Sequence, residues 1–211
     1  MEPTLDALIQ RVLNRLTAAQ SGARVMIGIA GSPGAGKTTL AEQLVAQLQQ
    51  QLGSGQVVHV PMDGYHLADV TLERLGLRGR KGAPATFDAD GFVALLHRLR
   101  ANRDPVVYAP GFDRVIEQPI AGSIAVPQQA RVIITEGNYL LLNGPWARAR
   151  DVLDEVWFYR PEESVRLERL FTRHVRFGKS PADASTWMAE TDAPNADVIA
   201  ATADRADLII E

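Results

Sequence analysis

Eight residues, Gly31-Ser-Pro-Gly-Ala-Gly-Lys-Thr38, constrain this chain more than any other stretch, because they satisfy the pattern G-x-x-x-x-G-K-[ST] in full. Before them runs Val25 to Ala30, an apolar stretch with the length of a buried strand. After them Leu44, Val45, Leu48 and Leu52 recur at helical spacing. Strand, glycine-rich turn and helix is the context in which this pattern forms a P-loop. Glycines let the backbone curl so that its N–H groups face a phosphate, and the helix N-terminus adds the positive end of its dipole. Gly31, Ser32, Pro33, Gly34, Ala35, Gly36, Lys37, Thr38 and Thr39 are therefore expected to bind nucleotide. Lys37 would reach the outer phosphates, and the Thr38 hydroxyl suits Mg²⁺.

Bulk properties narrow the setting. A chain of 211 residues suits one domain, with or without an inserted lid. A net charge of -3 announces no nucleic acid or anionic membrane partner. With no cysteine there is no disulfide, zinc thiolate site or cysteine nucleophile, which fits a reducing cytoplasm. No basic n-region with an apolar h-region opens the chain, and no apolar run approaches the roughly 20 residues of a membrane span. The expectation is a cytoplasmic protein that binds a small molecule.

In chain order, 3–20 reads as an amphipathic helix through Leu5, Leu8, Ile9, Val12, Leu13 and Leu16. Val57 to Val60 is a second buried strand, ending in Pro61-Met-Asp-Gly-Tyr-His66. Residues 67–88 look irregular, and a helix is expected over 89–101. Pro105 to Tyr108 is a short extended piece, and 109–127 reads as a long loop holding Pro110-Gly-Phe-Asp-Arg114. Arg131 to Glu136 and Glu155 to Tyr159 are further strands, with a short helix near 146–153 between them. Helices follow over 162–175, 182–190 and 192–202, then a last strand over 206–210. The alternation predicts an α/β fold with a parallel sheet and helices on both faces. Trp157 and Trp187 are expected in the core.

A P-loop admits a kinase, a GTPase switch or an ATPase. No N-K-x-D tetrad marks guanine and no serine-glycine signature helix marks an ABC-type ATPase, whereas the acids and arginines downstream suit phosphoryl transfer. That chemistry needs a cradle, a metal, an acceptor for the hydroxyl proton and cations around the migrating group. Asp63, at a strand end on the P-loop edge, is the candidate base and a candidate metal neighbour; its alternative is an ordinary Asp-Gly turn. Glu136 is the candidate metal-side acid, unless it only caps a neighbouring helix. Arg166, Arg169 and Arg173 line one helix face and could close as a lid, with Arg169 and Arg173 the more important. The alternative is a solvated face paired with Glu162, Glu163 and Glu168. His66 could bind substrate or only bond its surroundings. Tyr65, Tyr108 and Phe112 could stack on a substrate or line a wall.

The ordered set GSPGAGKT, PMDGYH, RKGAPATFD, YAPGFDR, TEGNYLLL, RLERLFTRH and TDAPNADVIAATADRADLII resembles the pantothenate kinase, uridine kinase and phosphoribulokinase group. The resemblance spans about residues 24–211, and within the group it is nearest to small bacterial nucleoside/nucleotide-kinase-like proteins, some labelled fructose transport system kinases. It implies a single-domain P-loop NTPase, a three-layer sandwich with a five-stranded parallel sheet and a helical lid near 161–190. It implies ATP and Mg²⁺, with Asp63 as base, Glu136 near the metal, and Lys37, Arg169 and Arg173 on the phosphates. Lys81 and Asp88 fall in the run that borders the acceptor, and Asn195 and Arg205 in a tail that touches the acceptor and adenine regions. Phe112-Asp113-Arg114 replaces the Tyr-Ser-His of pantothenate kinases, and the histidine that follows the Y-D-F motif of uridine kinases has no match. Both departures fall in the acceptor pocket, where Tyr65, His66, Tyr108, Phe112 and Arg114 are expected. Members often dimerise, so the resemblance also carries a homodimer, although no stretch marks its surface. The expected activity is transfer of the γ-phosphoryl of ATP to a hydroxyl of a small metabolite: a sugar such as fructose, a nucleoside or a pantothenate-like acid. The alternative is an ATP-binding sensor that phosphorylates nothing.

Overall fold

A computed structural model describes residues 3–211. Seven strands are formed among them: β1 (Val25–Ala30), β2 (Val57–His59), β3 (Val106–Asp113), β4 (Gln118–Pro127), β5 (Val132–Glu136), β6 (Glu155–Tyr159) and β7 (Leu208–Ile210). The helices are α1 (Leu5–Ala18), α2 (Lys37–Leu52), α3 (Asp69–Arg74), α4 (Ala89–Ala101), α5 (Ala147–Val152), α6 (Glu163–Arg176), α7 (Pro181–Trp187) and α8 (Ala193–Ala200).

The expected five-stranded parallel sheet is present, in the order β2-β5-β1-β6-β7. All six residues of β1 are buried, as the central strand of a sheet covered on both faces should be. Its side chains alternate between two cores. Val25, Ile27 and Ile29 meet Leu8, Ile9 and Val12 of α1 and Leu44 and Leu48 of α2. Met26 and Ala30 belong with Phe92, Leu96 and Leu99 of α4, Ala149 of α5 and Ile199 of α8. These are the three layers. Parallel register brings the carboxyl ends of β1, β2 and β5 to one edge, where the P-loop, Asp63 and Glu136 follow.

Four expectations need correction. The stretch 109–127, expected as a loop, is most of a β-hairpin: β3 and β4 pair antiparallel as a separate two-stranded sheet, with a register shift between Ala109 and Gly111. Pro110, Pro119 and Pro127 argue against strand in a sheet interior, but each strand of a two-stranded ribbon has a free edge that tolerates proline. Arg24 anchors the hairpin base, donating from a buried guanidinium to the carbonyls of Ala130, Leu99 and Pro127 at 2.8–2.9 Å. Within 67–88, the six-residue α3 forms. The two helices expected over 182–202 are one continuous element, with α7 passing through a π-helical turn at Met188–Asp192 into α8. Trp157 is fully buried as expected, whereas Trp187 is only half-buried and lines a cavity. No helix among the described residues is long and apolar enough to cross a membrane.

Candidate active site

The P-loop is held in a shape that side chains at its glycines would destroy. Gly34 has φ +83°, and a Cβ there would lie 2.6 Å from the Arg166 carbonyl oxygen and 2.9 Å from Leu170 Cβ. Gly36 has φ +95° and caps α2, so the helix N-terminus opens straight from the loop. Lys37 is buried, and its Nζ donates to the carbonyls of Gly31 at 2.8 Å and Ser32 at 3.2 Å and to Asn138 Oδ1 at 2.7 Å. Burial pushes the Lys37 amine down to about 8, against the opposing pull of Glu136 and Asp63.

The two acids sit where the strand ends place them. Thr38 Oγ1 donates to Glu136 Oε1 at 3.1 Å. Burial, helped by the nearby Asp63 charge, pushes the Glu136 carboxyl up to about 7, with Lys37 and the Thr38 hydroxyl opposing. Asp63 is also buried enough to be raised, but Arg114, His66, Lys37 and Arg173 outweigh that and hold its carboxyl below the ordinary range. Arg114 Nη2 pairs with Asp63 Oδ2 at 2.5 Å. This guanidinium comes from the turn of the β3–β4 hairpin, so the element misread as loop is what delivers the partner of Asp63.

Among the described residues there is no group of three or more histidines, aspartates or glutamates able to hold a metal on its own. One hydroxyl beside one carboxylate is nevertheless the hard-oxygen set that suits Mg²⁺, which keeps waters and takes its remaining oxygens from a nucleotide. Thr38 and Glu136 are the residues that fit this role.

Helix α6 closes the site from above, and its arginines divide the work. Arg166 is buried and does not face the cleft: Nη1 donates to the Pro33 carbonyl at 2.7 Å and Nε to Glu163 at 2.7 Å. Arg169 touches the Ala35 carbonyl at 3.3 Å, and Arg173 lies deeper, where burial lowers its pKa. A cavity of about 560 Å³ separates the P-loop from Arg169, Arg173 and Arg176. A second, of about 280 Å³, lies beyond it and shares Arg114, Arg173 and Phe177 with the first.

Of the expected acceptor residues, His66, Lys81 and Arg114 line the second cavity, and Phe112 packs at its wall edge-to-face with His66 at 4.8 Å. Others lie elsewhere. Tyr108 is 62% exposed, because Val107 and Ala109 take the inward positions of β3 and leave it pointing out. Asp88 is exposed and caps α4 by accepting from the Gly91 N–H at 2.8 Å. Tyr65 packs edge-on against Phe92 of the core at 5.5 Å. Asn195 lines neither cavity; it lies in the first turn of α8, where the Ala196 carbonyl accepts from Ser32 Oγ at 3.4 Å. The Arg205 guanidinium is spent on the Leu141 carbonyl and on Asn143 Oδ1 at 2.8 Å. Sequence reasoning missed Asn138, although its place two residues past Glu136 was a usable signal. It also missed the His174–Asp192 pair at 2.7 Å, which joins α6 to the π-helical turn and which no local pattern reveals.

Comparisons with known proteins follow this geometry. A candidate uridine kinase of Schizosaccharomyces pombe is 39% identical over 178 residues, 82% of this chain and 74% of its own length. The crystal structure of a candidate fructose transport system kinase from Silicibacter sp. TM1040 has 38% sequence identity and a TM-score of 0.88, covering 99% of each chain. The chain belongs to the P-loop kinase group of uridine and pantothenate kinases. A pantothenate kinase of Streptomyces avermitilis is 31% identical over 166 residues, and the match spans 49% of that longer protein and 74% of this one. The family model of the methylmalonyl-CoA mutase-associated GTPase MeaB matches residues 2–63, the segment that holds the P-loop and its flanking elements.

Proposed function

We propose that this P-loop kinase-group chain transfers the γ-phosphoryl of ATP, with Mg²⁺, to a hydroxyl of a small metabolite, with Asp63 as the base. One observation carries the proposal. The cavity at the P-loop and a second cavity share Arg114 and Arg173 in their walls, and Asp63, which lines neither, pairs with the shared Arg114 from behind. A second small cavity against the P-loop cavity, with a carboxylate paired to their shared arginine, suits a kinase, which needs room for an acceptor and a base near it.

Bound ATP and Mg²⁺ supply the transferable phosphoryl group and a metal that draws charge from it. The chain supplies the rest. Backbone N–H groups of 31–38, Pro33 excepted, would hold the phosphates, and Lys37 would exchange its carbonyl partners for them. Thr38 and Glu136 would hold the metal. Arg169 and Arg173 lie over the cleft and neutralise charge on the moving group. Asp63 orients the acceptor hydroxyl and takes its proton at the carboxylate. A carboxylate held ionised by Arg114 is a weak base, but the loose transition state of phosphoryl transfer asks more for position than for basicity.

The test is ADP release with ATP and Mg²⁺ over fructose and other hexoses, uridine, cytidine, pantothenate and ribulose 5-phosphate, with Asp63→Asn in parallel. Release that needs one acceptor and drops by roughly 10²–10⁴-fold in the variant supports the proposal. ATP binding with no acceptor-dependent product across the panel favours an ATP-binding sensor instead.

A further inference from the structure

We propose that the second cavity recognises an oxyanion, a phosphate or a carboxylate, so that the metabolite it holds is negatively charged before any transfer. That this metabolite accepts a phosphoryl group rests on the kinase proposal above; its charge does not.

The cavity is strongly cationic. Arg78, Lys81, Arg114, Arg173 and Lys179 line it, against one lining acid, Glu117. Some of this charge is matched from behind. Arg78 and Lys81 share Asp69, at 2.7 and 2.6 Å, and Arg114 holds Asp63. Arg173 and Lys179 have no carboxylate within 4.0 Å among the described residues, so two unmatched cations face a cavity of about 280 Å³. Like charges gathered in a cleft repel one another unless an anion joins them.

Arg114 and Arg173 line both cavities, but Arg78, Lys81 and Lys179 are not surplus phosphate ligands of the nucleotide. No P-loop residue lines this cavity, and Arg78, Lys81 and Lys179 do not line the P-loop cavity, which has Lys37, Arg169 and Arg176 of its own. They also come from two separate places: the turn at 78–81 and the segment between α6 and α7. The aromatic walls argue against an uncharged base as the ligand. Lys81 Nζ and Arg114 Cζ lie 5.6 and 5.4 Å from the Phe112 ring centroid, and Lys179 Nζ lies 4.5 Å from that of Trp187. Those rings present cations to the cavity where a base would need bare faces. A volume at or below the roughly 300 Å³ lower end of ligand pockets suits a small sugar phosphate or sugar acid.

The experiment uses the full chain with the P-loop saturated by a non-hydrolysable ATP analogue and Mg²⁺, so that added anions cannot bind there. Calorimetric affinities are measured for matched sets: fructose, fructose 6-phosphate and gluconate; glycerol, glycerol 3-phosphate and glycerate. In at least one set a charged member should bind tenfold or more tightly than its neutral partner. Lys179→Gln should cut that affinity about tenfold, as expected for one charge-assisted hydrogen bond, while Lys179→Arg keeps it and the affinity for the ATP analogue is unchanged in both. The tighter of the phosphate and carboxylate arms names the group recognised. Equal or tighter binding of the neutral members, no binding of any charged member, or indifference to Lys179→Gln overturns the proposal. Replacing the analogue with ATP separates the two ideas: charged-ligand binding without ADP release leaves the anion site standing and removes the kinase reading.

Discussion

Arg166 is the residue whose replacement best separates support of the P-loop from contact with phosphate. Its guanidinium joins α6 to the loop through the Pro33 carbonyl at 2.7 Å, and its own backbone carbonyl is what a Cβ on Gly34 would strike. In Arg166→Met the stem still packs, but the Pro33 carbonyl loses its donor in a buried place, which costs about 1–3 kcal/mol. The Glu163 partner is 66% exposed, so losing that pair adds only about 0.5 kcal/mol. Together these predict a loss of about 1.5–3.5 kcal/mol, or roughly 3–14 °C in Tm for a chain of this size. Arg169→Ala is the contrast: the residue is exposed, and its guanidinium lines the cleft with one long bond of 3.3 Å to the Ala35 carbonyl, so Tm should change little while turnover falls. Calorimetric melting without nucleotide, followed by ATP titration, reads both effects. A variant Arg166→Met that melts with the wild type but loses as much turnover as Arg169→Ala would show that Arg166 is a phosphate ligand and that the buttress role is wrong.

Other substitutions test neighbouring claims. Lys37→Ala should weaken ATP binding and turnover together, and an unchanged ATP affinity would remove Lys37 from the phosphate cradle. Gly34→Ala forces a side chain into φ +83° and against the Arg166 carbonyl, so ATP affinity should fall steeply; a wild-type titration curve would refute the tight approach. Burial holds the His66 imidazole near 4, opposed by Asp63, and its ordinary value is near 6.5. Between those values the unfolded chain binds a proton that the folded chain refuses, so stability is full above pH 6.5 and lost as pH falls toward 4. His59, also held near 4 by burial, adds a loss of the same sign. Denaturant titrations of His66→Phe should show a shallower acid slope than the wild type, and an identical slope would mean that His66 titrates normally. Tyr108→Ala should change stability by less than about 0.5 kcal/mol and leave acceptor KM unchanged. A raised KM would return Tyr108 to the pocket.

What could be read from the residues was local or periodic. The P-loop was legible because its glycines, lysine and threonine are adjacent in sequence, and each has a mechanical role that no other residue fills at that spacing. The strands β1, β5 and β6 were legible as apolar runs, since a parallel sheet covered on both faces needs no polar alternation. Asp63 and Glu136 could be singled out because parallel strands deliver their carboxyl ends to one edge, so position in the chain becomes position in space. The hairpin was not legible: prolines that forbid a central strand are harmless in a two-stranded ribbon, and only the pairing of 106–113 with 118–127 decides which case holds.

The tertiary structure alone decided how charges were shared. Three arginines share one helix face in the sequence, with Arg169 and Arg173 expected to matter more, but only packing made Arg166 a support for the loop while Arg169 and Arg173 stayed over the cleft. The same holds for Arg114 with Asp63, 51 residues apart, and for Lys37 with Asn138, 101 apart. Cations brought from separate turns to one small cavity follow the same rule. Backbone preference and hydrophobic period act over a few residues and leave their trace in sequence. Electrostatic partnership depends on distance through space, and that distance exists only once the chain has folded.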